Sequence, residues 1–113
     1  MHEASIAIDL LRLVADQAQL HQVSRVTRVV VKLGQLSSVI PEALYFAWQT
    51  AKNQTIAQDA TLEIQSIPAK AVCSTHGAVL LNLQRGIRCP ICDLPTPEIL
   101  EGEELELDCL ELE

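Results

Sequence analysis

Aromatic side chains are nearly missing from this chain. Tyr45, Phe46 and Trp48 are the only three in 113 residues, and all fall in one segment. Because 49% of the residues are nevertheless hydrophobic, the core is expected to be aliphatic. Basic charge is missing from the end of the chain: between Glu98 and Glu113 there are eight acids and no Lys or Arg, within a formal net charge of −7. That argues against a nucleic-acid partner, whose phosphates need clustered Lys and Arg, and suits attraction of cations or of a basic protein surface. No apolar run approaches the ~20 residues that span a bilayer, so no membrane partner is expected. The first residues lack a basic region followed by an apolar one, so no signal peptide is expected either. Cysteine is scarce, at four, but Cys89 and Cys92 stand two residues apart, as do Cys73 and His76. In a reducing compartment such pairs read as metal ligands and not as disulfides. These absences leave a soluble, cytoplasmic, acidic protein of single-domain size.

The chain that remains is organised by periodicity. Apolar residues at Ile6, Leu10, Leu13, Val14 and Ala18, with Leu11 beside them, predict a helix over residues 4–19. The β-branched run over residues 25–33, closed by Gly34, predicts a strand. Pro41 and Glu42 suit the first turn of a second helix, where a missing N–H costs nothing and negative charge favours the dipole; Leu44, Ala47, Trp48 and Ala51 give it one apolar face. Residues 60–67 predict a second strand that stops before Pro68, and Glu104 to Cys109 alternates strictly, predicting a last strand with Leu105, Leu107 and Cys109 on its buried face. Free cysteine packs as a small hydrophobe, so Cys109 is expected in the core. His21 follows the first helix, where it can bond the last carbonyls, and is read as structural. The order is α-β-α-β, an insert, then β. The simplest solution is an α+β fold: a small three-stranded sheet with two helices on one face, plus a zinc-ribbon-like lobe inserted before the last strand. The expected division is residues 1–69 with 99–113 in one unit, and residues 70–98 in the lobe.

The lobe holds Cys73-Ser-Thr-His76 and Cys89-Pro-Ile-Cys92, twelve residues apart, with Gly77, Gly86 and three prolines. An x₂ spacing lets one tight turn offer two ligands to one ion, and the intervening segment is long enough to bring two turns face to face. Cys73, His76, Cys89 and Cys92 then form a closed tetrahedral Cys₃His site, the structural zinc arrangement. A redox reading of Cys89 and Cys92 would need a helix opening at the pair to lower the thiol pKa. Pro90 and Leu94-Pro95-Thr96-Pro97 leave none. Four protein ligands also leave no open position for a zinc hydrolase.

At the other end, Met1-His2-Glu3 places a free amine, deprotonable backbone amides and an imidazole close enough to chelate one ion. Such an in-plane nitrogen set suits square-planar Ni(II) or Cu(II), with copper the tighter by the Irving–Williams order. A histidine in second position can equally be incidental, and these three residues alone do not decide.

The whole pattern resembles the HypA/HybF family of hydrogenase maturation factors. The residues that carry the resemblance are Met1-His2-Glu3-Ala4-Ser5-Ile6-Ala7, Val29-Val30-Val31-Lys32-Leu33-Gly34-Gln35-Leu36-Ser37, Pro41-Glu42-Ala43-Leu44-Tyr45-Phe46-Ala47-Trp48, Ala60-Thr61-Leu62-Glu63-Ile64, Cys89-Pro90-Ile91-Cys92 and Leu105-Glu106-Leu107. The resemblance implies a nickel metallochaperone and no enzyme. Nickel would be held by Met1 through its amine, His2 through imidazole and amide, and Glu3 through its amide with the carboxylate nearby. The zinc would be structural. Implied partners are a maturation GTPase and the large subunit of [NiFe] hydrogenase; some members also supply urease, which adds urease accessory proteins. Monomer and dimer are both compatible with it. Two positions depart from the family pattern. His76 stands where a cysteine is usual, taking the site from −2 to −1 and predicting weaker, differently acid-sensitive zinc binding. Asp93 stands where glycine is common, predicting a knuckle that turns differently. The alternative reading is a zinc-ribbon interaction adaptor with no nickel role, which would share the lobe and have no need of Met1 or His2.

Overall fold

A computed structural model describes residues 3–112; Met1, His2 and Glu113 lie outside the described residues. The chain runs α1 (Glu3–Leu20), β1 (Val26–Gly34), α2 (Pro41–Ala51), β2 (Thr61–Ile67), β3 (Lys70–Cys73), β4 (Gly77–Leu80), β5 (Ile99–Glu101) and β6 (Leu105–Leu112). The α+β expectation holds, with two three-stranded sheets.

Helix α1 buries Ile6, Ala7, Leu10, Val14 and Ala18. Leu13, expected on that face, is instead 49% exposed, while Leu11 packs against the core. The buried stripe at positions 6, 7, 10, 14 and 18 drifts so that position 13 falls off its edge, because 3.6 residues per turn do not hold a fixed triad on one line. Just past the helix, Gln22 takes a left-handed φ of 56°. There Val23 N–H donates to the Ala18 carbonyl and Gln22 N–H to the Gln19 carbonyl, the paired 6→1 and 5→2 bonds that close a helix C-terminus. His21 Nδ1 donates to the Gln17 carbonyl at 2.8 Å, the structural use expected of it. Helix α2 begins with Pro41 in its first turn and buries Leu44 and Trp48 completely.

The larger sheet has the order β2-β1-β6, with β1 parallel to β2 and antiparallel to β6. Val29, Val31 and Leu33 of β1 face the two helices in one core with Leu44, Trp48 and Leu62. Arg28 and Lys32, out of phase with them, pair with Glu63, Glu111 and Asp108 on the opposite face.

In β6 the strict alternation fails. Its pairing with β1 jumps between Val30↔Cys109 and Val31↔Leu107, so Asp108 is an extra residue bulged out of the ladder. The jump resets the phase: Leu110 and Leu112 join Leu105 and Leu107 against the core, and Cys109 turns outward and is exposed. The expected burial of Cys109 is thereby overturned.

The second sheet, β4-β3-β5, is antiparallel throughout. Its core is thin: Ala69, Ala71, Val79 and Leu81 with the sulfurs of Cys73 and Cys89. The sheets meet where Gly34 crosses Gly102. A Cβ at Gly34 would overlap the Gly102 carbonyl, and one at Gly102, whose φ is 118°, would lie 2.8 Å from the Ala69 Cα. This crossing is pinned by Leu36 N–H to the Gly102 carbonyl at 2.6 Å and Gly34 N–H to the Glu104 carbonyl at 2.7 Å. The two glycines are there because the backbones come too close for any side chain.

Candidate metal centre

Two turns supply the four ligands. Cys73 ends β3, Ser74-Thr75-His76 makes the hairpin, and Gly77 starts β4 with a left-handed φ of 71° that closes it. The second turn is Cys89 to Cys92. Asp93 N–H donates to the Cys89 carbonyl and Cys89 N–H to the Leu94 carbonyl, both at 2.9 Å. Asp93 takes a φ of 63°. Aspartate is among the few side chains that tolerate this region, so Asp93 takes a left-handed backbone of the kind that glycine adopts readily. Its carboxylate lies 3.5 Å from Arg85 and 3.9 Å from Arg88, which tie it to the preceding loop. No spacing rule announces this latch; only the folded loop brings the two arginines to one aspartate.

The four ligand atoms converge: the Sγ atoms of Cys73, Cys89 and Cys92 and a ring nitrogen of His76 all lie within 4.8 Å of one another. Cys73 Sγ is 3.5 Å from Cys92 Sγ and 3.6 Å from His76 Nδ1, and Cys89 Sγ is 3.7 Å from the same nitrogen. A tetrahedral ion with ordinary zinc bond lengths requires edges of ~3.8 Å between sulfurs and ~3.5 Å between sulfur and nitrogen. These three edges fit that tetrahedron within a few tenths of an ångström, and the whole set lies within 4.8 Å. Cys73 and Cys89 are buried on the lobe side, whereas His76 and Cys92 are exposed. Among the described residues no other such group of His, Cys, Asp and Glu ligand atoms converges.

The backbone prepares the sulfurs for a cation. Bonds from the Thr75 backbone, then from that of His76, outweigh desolvation and bring the Cys73 thiol from 9.0 down to about 6. Ile91 N–H points at Cys89 Sγ at 3.4 Å. For Cys92 the Leu94 backbone is the largest influence and pulls the thiol down, but desolvation and the neighbouring Cys73 and Cys89 together push it above its ordinary value. Crowded thiols that resist joint ionisation are what an ion relieves.

The amino-terminal set is only partly in view. Glu3 is the first described residue of α1 and is half-buried. Met1 and His2 lie outside the described residues.

Comparison with known proteins places the chain. A family profile described as hydrogenase/urease nickel incorporation, metallochaperone, hypA matches residues 1–112. A hydrogenase maturation factor HypA from Deinococcus radiodurans is 45% identical over 107 residues, 95% of this chain and 89% of that protein. A hydrogenase maturation factor HybF from Klebsiella pneumoniae is 35% identical over 111 residues, 98% of each. The solution structure of the Ni metallochaperone HypA from Helicobacter pylori superposes with a TM-score of 0.71 at 26% identity, covering 99% of this chain and 97% of that one. An adaptor sharing only the lobe would match only the lobe, whereas these matches run nearly the full length of the chain. The chain belongs to the HypA/HybF family of hydrogenase maturation factors, nickel metallochaperones and not catalysts.

Proposed function

We propose that this chain carries Ni(II) at its amino terminus and helps to insert it into the large subunit of [NiFe] hydrogenase. Met1 supplies its amine, His2 its imidazole and amide, and Glu3 its amide. A maturation GTPase, and in some settings urease accessory proteins, share the transfer, which takes place in the cytoplasm. Membership in the family ties the chain to the hydrogenase-maturation machinery; these named partners and the compartment go further. No helix among the described residues is long and apolar enough to cross a membrane.

The observation that carries the nickel reading is that Glu3 is helical and stands at the described beginning of α1. The first four N–H groups of a helix have no partner within it. The Glu3 amide can therefore give up its proton to a metal without breaking a helical bond, and the helix holds that donor steady while His2 and Met1 close around the ion. Copper binds such a set more tightly, so discrimination falls to metal supply and partner docking.

Cys73, His76, Cys89 and Cys92 hold a structural zinc, and the tetrahedral fit of their atoms supports this. The lobe over residues 70–98 is then a metal-folded unit. It sits beside a helical unit of residues 1–69 and 99–113, and β5 reaches back across that boundary to pair with β3.

The test is a nickel titration of zinc-loaded protein with its native amino terminus, read by d–d absorption, beside His2→Ala and a version extended by one residue at the amino terminus. The native chain takes up one equivalent in a square-planar spectrum and both variants lose it. Uptake by either variant equal to that of the native chain refutes the donor set.

A further inference from the structure

Strand β6 lies at the edge of its sheet. Its inner side is paired with β1, and no strand pairs its outer side among the described residues. Along that open side runs a groove of about 650 Å³, floored by Leu107, Leu110 and Leu112 and walled by Leu13 and Gln17 of α1. Leu13 is 49% exposed there. The rim is acidic. Glu106 and Asp108 line the groove, and Glu103 and Glu104 precede it. Asp108 is paired with Lys32 at 3.5 Å, and Glu104 accepts the Gly102 N–H. Among the described residues Glu103 and Glu106 have no cationic partner.

Acidic side chains and a bulge are ordinary protection for an exposed edge. Protection does not account for an apolar helix residue held open opposite four half-buried leucines. We infer that this groove docks a short extended segment of a partner protein, added to β6 as a fourth strand, with apolar and basic residues alternating along it. Main-chain bonds to the free edge supply the pairing. Alternate apolar side chains cover Leu13, Leu107 and Leu110, while Lys or Arg on the other face of the added strand stand across from Glu106 and Glu111. The Asp108 bulge breaks the regular edge into two short stretches, which limits the occupant to a few paired residues on either side.

Charge decides between occupants. A second copy pairing β6 against β6 would set these acids against their own counterparts, and like charges across a strand pair are destabilising. A basic segment meets the opposite sign. Leu13 lies ten residues along α1 from Glu3, or roughly 15 Å at the helical rise. Docking at the groove thus leaves the amino terminus free. Only this last consequence rests on the proposed nickel role; the groove itself does not.

The experiment uses the full zinc-loaded chain and a synthetic peptide of about ten residues alternating Lys and Val. Two controls accompany it, the same peptide with alternate backbone amides N-methylated and a Glu-Val counterpart. Amide NMR and hydrogen exchange report on residues 105–112. The Lys-Val peptide saturates and newly protects β6 amides, while neither control does. Glu106→Lys weakens binding by about fivefold and Leu13→Glu by more than about tenfold, with both variants keeping their zinc. Equal binding of the N-methylated peptide, unchanged β6 protection, or indifference to Leu13→Glu overturns the inference. So does concentration-dependent protection of β6 without peptide, which assigns the edge to a second copy. His2→Ala separates the two readings: it removes nickel uptake if the carrier role is right, and leaves peptide binding intact whether or not it is.

Discussion

Removing the metal from the lobe tests the central physical claim, that the ion and not the apolar core folds residues 70–98. The lobe core offers two buried aliphatic side chains of size, Val79 and Leu81, with two alanines, two cysteines and, partly buried against them, Leu36 and Ile99. Burying the two aliphatics contributes about 3–6 kcal/mol. A structural zinc site contributes about 10–16 kcal/mol of apparent binding energy at neutral pH. The metal term exceeds that of the two buried aliphatics throughout both ranges. Without the ion, moreover, three sulfurs and an imidazole are left crowded within 4.8 Å of one another. The larger unit has an independent core of fifteen buried residues, including Trp48, Leu44 and Val29. Chelation at neutral pH, with zinc loss verified by elemental analysis, should therefore abolish hydrogen-exchange protection in β3, β4 and β5. It should leave that of β1, β2 and the helices nearly unchanged. Because the crossing at Gly34 and Gly102 is shared, amides at 34–36 should weaken moderately. If the metal-free lobe keeps the protection of its β3 and β4 amides, the metal is a guest in a self-sufficient fold and the reasoning fails.

Three further outcomes are expected. Gly34→Ala pushes a methyl group into the Gly102 carbonyl and should cost about 1–3 kcal/mol in denaturant unfolding while zinc stoichiometry stays at one; unchanged stability would show that the crossing can relax. Zinc affinity should fall as pH falls, because protons compete with the ion for the three thiolates and the His76 ring; a chelator competition that gives the same affinity at about pH 7 and about pH 5 contradicts this. Leu10→Ala should cost about 2–5 kcal/mol and Leu13→Gln under about 0.5 kcal/mol, since Leu10 is buried and Leu13 is not; equal costs by urea unfolding would place Leu13 in the core after all.

Periodicity and spacing determined a large part of this protein before any fold was in view. The helices over Glu3–Leu20 and Pro41–Ala51, the strands β1, β2 and β6, and the lobe before the last strand all lie where local patterns put them. The four metal-cluster residues were legible for the same reason, because an x₂ spacing fixes two ligands within one turn whatever the rest of the chain does. The fate of Cys109 and Leu13 was not local. Alternation placed Cys109 inside, but the register of β6 is set by its partner β1, and one extra residue at Asp108 reverses every side chain beyond it. Leu13 stands at the edge of the α1 stripe, where burial is decided by what packs beside it, and here it lines the open groove along β6. Asp93 could be seen to stand in a glycine position, yet only the folded knuckle shows it adopting the left-handed backbone beneath Arg85 and Arg88. Residue identity and spacing chose the elements and the ligands, since those depend on a few neighbouring bonds. Register, edge and bulge belong to pairings between residues some eighty positions apart, and only the tertiary structure decided them.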